Sequence, residues 1–205
     1  FGIALTLVII AGSELFTGHT MFLTLGVKSG TISHGQMWAI LPQTWLGNLV
    51  GSVFVALLYS WGGGSLLPVD TSIVHSVALA KTTAPATVLF FKGALCNWLV
   101  CLAIWMAIRT EGAAKFLAIW WCLLAFIASG YEHSVANMTL FALSWFGHHS
   151  EAYTLSGIGH NLLWVTLGNT LSGVVFMGLG YWYATPKSER PAPAKINQPE
   201  ATANN

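Results

Sequence analysis

Charge is almost absent from this sequence, and that constrains it more than any other feature. Of 205 residues only 15 are Asp, Glu, Lys or Arg, and five of those (Lys187, Glu189, Arg190, Lys195, Glu200) fall in the last 21. Ten charges remain for the first 184 residues, too few to keep a globular surface wet. The charged fraction is 7%, against about 25% in soluble domains. The hydrophobic fraction is 55%, with 10 Trp and 11 Phe. A soluble enzyme, a nucleic-acid binder and a secreted disulfide scaffold are excluded on this composition. The net charge of +1 gives no footprint for a polyanion. A polytopic helical membrane protein remains.

Cys96, Cys101 and Cys122 lie in apolar runs, without a CxxC pair or metal spacing, and read as buried free thiols. No HExxH, P-loop or GxSxG occurs, so neither enzymatic chemistry nor a bound metal or cofactor is expected.

A spanning helix needs about 20 apolar residues. Candidate spans are 1–27, 36–61, 88–109, 115–146 and 157–184. From Thr185 onward the chain is rich in Pro, Ala, Asn and charge and is expected to be a disordered tail. Tyr59, Trp61, Trp105 and Tyr181–Tyr183 cluster near span ends, as interfacial aromatics do. Gly47 and Gly51 form a GxxxG suited to close helix contact.

Segments 1–27 and 115–146 differ from the other three. Each carries a glutamate at its centre, Glu14 and Glu132, beside glycine, hydroxyls and histidine. A mid-membrane charge costs roughly 2.5–3.5 kcal/mol on insertion scales and is kept where it meets a partner or a cavity. Both segments are expected to be helices broken at these positions, and two broken helices in matching places mark a transport site.

A weak internal repeat supports the match. Shifted by 121, Gly47-Asn48 falls on Gly168-Asn169, Val53 on Val174, Leu58 on Leu179 and Trp61 on Trp182; shifted by 118, Gly12 falls on Gly130 and Glu14 on Glu132. The second copy is the span 88–109, the broken 115–146 and 157–184. The first lacks a counterpart of 88–109, which is expected upstream of Phe1, and an exposed groove is expected along 1–27. Three spans per copy is odd, so the copies should be inverted. Lys28, Arg109, Lys115, Lys187, Arg190 and Lys195 fall on one face and Lys81 and Lys92 on the other. The first face, with the C-terminus, is expected in the cytoplasm.

Residue by residue, the polar positions keep two readings. His133, beside Glu132 at a break, is either a proton donor near neutral pH or a buried neutral ring bonded to a backbone carbonyl. Thr17, alone, would bond a carbonyl. Leu15, Phe16, Val100 and Phe126 would be core, and Lys81 a solvated loop lysine. Asn97 and Asn137 could be interhelical glue, and Asn48 and Asn169 either packing or lining. The remaining histidines, His19, His34, His75, His148, His149 and His160, are scattered. His133 and His19 at similar depth leave a haem-binding or redox membrane anchor as an alternative of another class.

Four stretches carry a family resemblance: Leu15-Phe16-Thr17 after Glu14, the run Gly93–Ala103 (GALCNWLVCLA), the run Ala128–Met138 (ASGYEHSVANM), and Gly168-Asn169. Together they resemble the formate/nitrite transporter family over residues 1–184. The family has six spans, one more than is found here. The resemblance implies an aquaporin-like fold, a homopentamer with one pore per protomer in a bacterial inner membrane, and passage of nitrite or formate or their conjugate acids. It implies that His133 is the central pore residue, that Thr17 faces it, and that Leu15, Phe16, Val100 and Phe126 form apolar constrictions. Lys81 would fold into a vestibule near Glu132 and gather anions. Asn97 and Asn137 would bond on the pore side. An apolar ring passes a neutral acid and rejects an ion, so protonation at His133 is the expected mechanism. Conduction past a cationic His133 is the variant of it.

Overall fold

The structure is a computed structural model that describes residues 2–64, 73–147 and 149–190. His148, Lys195, Glu200 and the proline-rich stretch from 191 lie outside the described residues. Among the described residues there are helices and no strand. In order they are α1 (Gly2–Ala11), α2 (Phe16–Ser29), α3 (His34–Trp61), α4 (Ile73–Thr82), α5 (Ala86–Ala107), α6 (Gly112–Ala128), α7 (Ser134–Phe146) and α8 (Leu155–Leu171). α8 runs on through a π-helical stretch, Ser172–Leu179, into α9 (Gly180–Ala184).

Three helices are long and apolar enough to cross a membrane: His34–Trp61, Ala86–Ala107 and the continuous Leu155–Ala184. The pair α1 and α2, bent by 44°, passes as a fourth. α6 and α7, of 17 and 13 residues, are each too short alone. Their outer surface is apolar, with Ile3, Leu7 and Ile10 of α1 and Val50 and Phe54 of α3 all exposed.

The two breaks share one geometry. α1 and α6 end near glycines in the left-handed region, Gly12 at φ 75° and Gly130 at φ 63°, the usual helix stop. The chain then runs extended to Leu15 (φ −123°, ψ 116°) and His133 (φ −117°, ψ 117°). The next helix starts at the following residue in each case.

Close backbone contact holds the centre. A Cβ on Gly168 would run into the carbonyl oxygen of Phe90, and one on Gly93 would stand 2.9 Å from that of Val165, so α5 and α8 cross almost backbone to backbone. Asn97 of α5 donates its amide to the Asn169 carbonyl at 2.7 Å. A side chain inserted at a helix carbonyl disturbs the ladder, and the π-helical stretch begins three residues later.

Three expectations need correction. Gly47 and Gly51 make no helix contact within this chain, since a Cβ on either would meet nothing within 4 Å; they lie on the exposed face of α3. Lys81 is on the last turn of α4, a short helix that a search for long spans passes over. Residues 185–190, assigned to the tail, fold back: Arg190 Nε donates to the Thr185 carbonyl at 3.0 Å and its guanidinium lies over the Trp182 ring.

Gly168→Ala should destabilise the protein by about 1–3 kcal/mol through overpacking, whereas Gly47→Ala should be near neutral. Thermal unfolding in detergent, followed by circular dichroism, checks this. A Gly168→Ala protein melting with the wild type would mean that the α5–α8 crossing has slack.

Candidate functional site

Each break leaves backbone N–H and C=O groups without a helical partner, and at membrane depth each such group costs several kcal/mol if left unpaired. An asparagine from a distant helix bridges each one. Asn48 of α3 accepts from the Phe16 N–H at 2.9 Å and donates to the Glu14 carbonyl at 2.9 Å. Asn169 of α8 accepts from the Ser134 N–H at 2.9 Å and donates to the Glu132 carbonyl at 3.1 Å and the Gly93 carbonyl at 2.8 Å. The repeat-related asparagines are therefore clamps on the breaks.

The clamps aim the N-termini of α2 and α7 at one another. Thr17 Oγ1 and His133 Nε2 are 3.0 Å apart, both residues buried. The backbone N–H of Ala136 donates to His133 Nδ1 at 3.1 Å, capping α7. The hydrogen-bond network then assigns the ring proton to Nε2, which donates to Thr17. No backbone carbonyl is needed for His133. The Phe126 ring stacks on the imidazole at 6.1 Å between centroids. Two positive helix ends thus converge on one donor-rich point, the arrangement that receives anions.

An apolar cavity of about 420 Å³ opens there, lined by His133 with Leu5, Val8, Leu15, Val100 and Phe126 among others. A second cavity, about 280 Å³, shares Val8 and Leu15 with it and continues to Glu14, His19, Phe22, Ile104 and Ile108. Leu15 therefore stands between them. Phe16 lines neither. It is buried in a cluster with Met37 and Leu41, because the extended Leu15 turns the next side chain to the opposite side. Thr17 lies behind the cavity wall and is reached through His133.

On the α4 side a closed polar circuit forms. Lys81 Nζ pairs with Glu132 Oε2 at 2.8 Å. Asn137 Nδ2 donates to the same oxygen at 2.7 Å and to Asn161 Oδ1 at 2.9 Å. Asn161 Nδ2 returns to the Lys81 carbonyl at 2.9 Å. Removing one partner of a buried ion pair costs about 3–5 kcal/mol, so the circuit fixes α4 against α7 and α8. Asn161, fully buried, was missed from the sequence. Its signal was an amide in an apolar span, eight residues before Asn169. Asn97 is also fully buried and points its amide at the Thr17 carbonyl (3.3 Å), Thr20 Oγ1 (3.1 Å) and the Asn169 carbonyl. With two hydrogens for three acceptors it acts as a strut between α2, α5 and α8.

His133 and His19, weighed above as haem ligands, both have engaged rings. His19 bonds Thr44 Oγ1 at 3.0 Å through Nδ1 and pairs with Glu14 through Nε2. The haem reading finds no support. Among the described residues no group of three or more His, Cys, Asp or Glu could hold a metal, and the three cysteines are free and buried.

The family model of the formate/nitrite transporter matches residues 1–183. The chain is 98% identical over 205 residues to the nitrite transporter NirC of Salmonella typhimurium, covering all of this chain and 76% of that protein. It is 90% identical over 203 residues to NirC of Escherichia coli, covering 99% and 76%. A solved ion channel of the same family, 98% identical, superposes with a TM-score of 0.88 over 90% of this chain and 74% of that one. A pentameric formate channel with formate bound, 28% identical, superposes at 0.75 over 89% and 79%. The fold is thus one shared with solved channels, and the chain belongs to the formate/nitrite transporter family.

Proposed function

We propose that the chain forms a membrane channel for nitrite, with formate and similar small monovalent anions as further substrates, and that it performs no enzymatic chemistry. The observation that carries this is the meeting of two half-helix N-termini at the Thr17–His133 bond, beside an apolar cavity. The names of the relatives from Salmonella and Escherichia supply the substrate. The pentameric formate channel supports a homopentamer with one pore per protomer. The channel domain is residues 1–184, followed by a tail, in a bacterial inner membrane. Lys28 bonds the Tyr183 hydroxyl at 3.2 Å, so the basic end of α2 shares a face with α9. The excess of Lys and Arg puts that face, and the C-terminus, in the cytoplasm. The matched torsions at Leu15 and His133 and the asparagine clamps support two repeated copies, which three spans per copy would invert.

In this reading an anion is drawn to the α4 mouth, where Lys81 lies, and then accepts the Nε2–H of His133. Asn137 holds Glu132 toward Lys81, and Asn97 holds the Thr17 segment. Leu15, Val100 and Phe126 form the apolar passage. A bare ion there faces a desolvation penalty of several kcal/mol. Full proton transfer from Nε2 requires a proton delivered from water to Nδ1, which releases the Ala136 N–H. Loss of such a cap costs about 1 kcal/mol. Crossing as the neutral acid avoids carrying a desolvated charge through that passage.

Uptake of labelled nitrite into proteoliposomes tests the proposal. His133→Phe should abolish it while size-exclusion chromatography shows the oligomer intact; uptake at the wild-type rate would refute the role of the ring.

Lys81→Met alone should lower the yield of folded protein, because it strands Glu132. Lys81→Met with Glu132→Gln should restore folding and raise the nitrite concentration for half-maximal flux, more at low salt than at high. An effect equal at all ionic strengths would leave Lys81 a structural role only.

A further inference from the structure

The second cavity holds an ion pair that the transport reading above does not use. Glu14 lies in the first break, at the position that the repeat aligns with Glu132. Its carboxylate pairs with Nε2 of His19, one turn into α2. His19 Nδ1 is 3.0 Å from Thr44 Oγ1, whose own hydrogen is directed to the Ile40 carbonyl at 3.0 Å. Thr44 must then accept, and Nδ1 carries a hydrogen. With Nδ1 protonated, the short contact between Nε2 and the Glu14 carboxyl needs one more proton between them. That proton leaves the pair with no net charge. Without it, a nitrogen lone pair would face a carboxylate.

The pair has few ionisable neighbours among the described residues. α1 contains no titratable residue. The cavity wall from α5 is Ile104 and Ile108. The other ionisable groups of α2, α3 and α5 are Lys28, His34, Tyr59, Lys92, Cys96 and Cys101, and Lys28 is bonded to Tyr183. From α7 and the π-helical stretch there are none, and α8 offers only His160, bonded to the Ala84 carbonyl. The π-helical stretch continues into α9, whose Tyr181 lies against Trp105.

We infer that the Glu14–His19 pair is the proton exchange site of the mouth opposite Lys81. The inference rests on the nitrite-channel reading. For an acid arriving past Leu15, the O–H bond breaks and its electron pair stays on the nitrite oxygen. The proton bonds to the His19 Nε2 lone pair of a pair that has already lost its own proton to water. For nitrite leaving by the opposite route the same steps reverse, and the pair donates. Nothing is oxidised or reduced. The two mouths are then unlike: a permanent cation faces Glu132, and a titratable one faces Glu14.

The test measures nitrite flux and luminal acidification together in proteoliposomes at symmetric pH, from about pH 5 to about pH 8. His19→Gln should match the wild type at the acid end, where water supplies protons. At the alkaline end it should fall roughly tenfold below, the low side of what a positioned proton donor contributes. Glu14→Gln should do the same. His19→Lys keeps a cation beside Glu14 that does not exchange its proton in this range, and should behave like His19→Gln. A wild-type pH profile in His19→Gln and Glu14→Gln would overturn the inference. So would full rescue by His19→Lys, which would reduce the pair to a fixed charge. Wild-type liposomes carrying no more nitrite than protein-free ones would instead remove the channel reading itself.

Discussion

An asparagine side chain bonded to both sides of a helix break is the contact on which the rest depends. Asn48 and Asn169 each offer one acceptor to the first N–H of a half-helix and one donor to the carbonyl two residues before it. Without them, extended backbone would lie at membrane depth with orphaned polar groups. With them, α2 and α7 can begin in mid-membrane and point their positive ends at each other. The close crossing of α5 and α8 at Gly93 and Gly168 serves the same end, because it brings Asn169 within reach of both Gly93 and Glu132.

The glutamates beside the breaks then separate the two mouths. Both stand at the same point of the repeat, yet their partners differ. Glu132 is buried and held by Lys81 and Asn137. Glu14 is exposed and meets His19. Burial demands a fixed countercharge at the first; exposure tolerates a titratable one at the second.

Much of this was legible in the sequence, for physical reasons. Glutamates and glycines inside apolar spans announced both breaks, and the offsets of 118 and 121 paired Glu14 with Glu132 and Asn48 with Asn169. What the spacing could not carry was direction. Phe16 follows Leu15 in a motif, but the extended torsions at Leu15 send the two side chains apart, one to the cavity and one to Met37 and Leu41. Asn161 showed only as an amide in an apolar span, with no period to betray its partner. α4 was silent because ten residues are too few to register as a span. Gly47 and Gly51 make no contact inside this chain and leave a small-residue face open on α3.

In the proposed channel, His133 joins folding to transport through a single atom. Nδ1 caps α7 by accepting from Ala136, and the same lone pair is the only place where the ring can take a second proton while Nε2 donates to Thr17. A protonated ring is therefore an uncapped helix. Charging the ring costs this cap, about 1 kcal/mol, on top of the desolvation of a buried cation. The Phe126 ring lies roughly parallel to the imidazole, 6.1 Å away between centroids. A stronger cap, such as an Asp at this position, would hold α7 more firmly but would place a negative charge where the substrate must pass. A purely apolar residue would lose both the cap and the donor. The histidine ring accepts from the helix with one nitrogen and donates to Thr17 with the other.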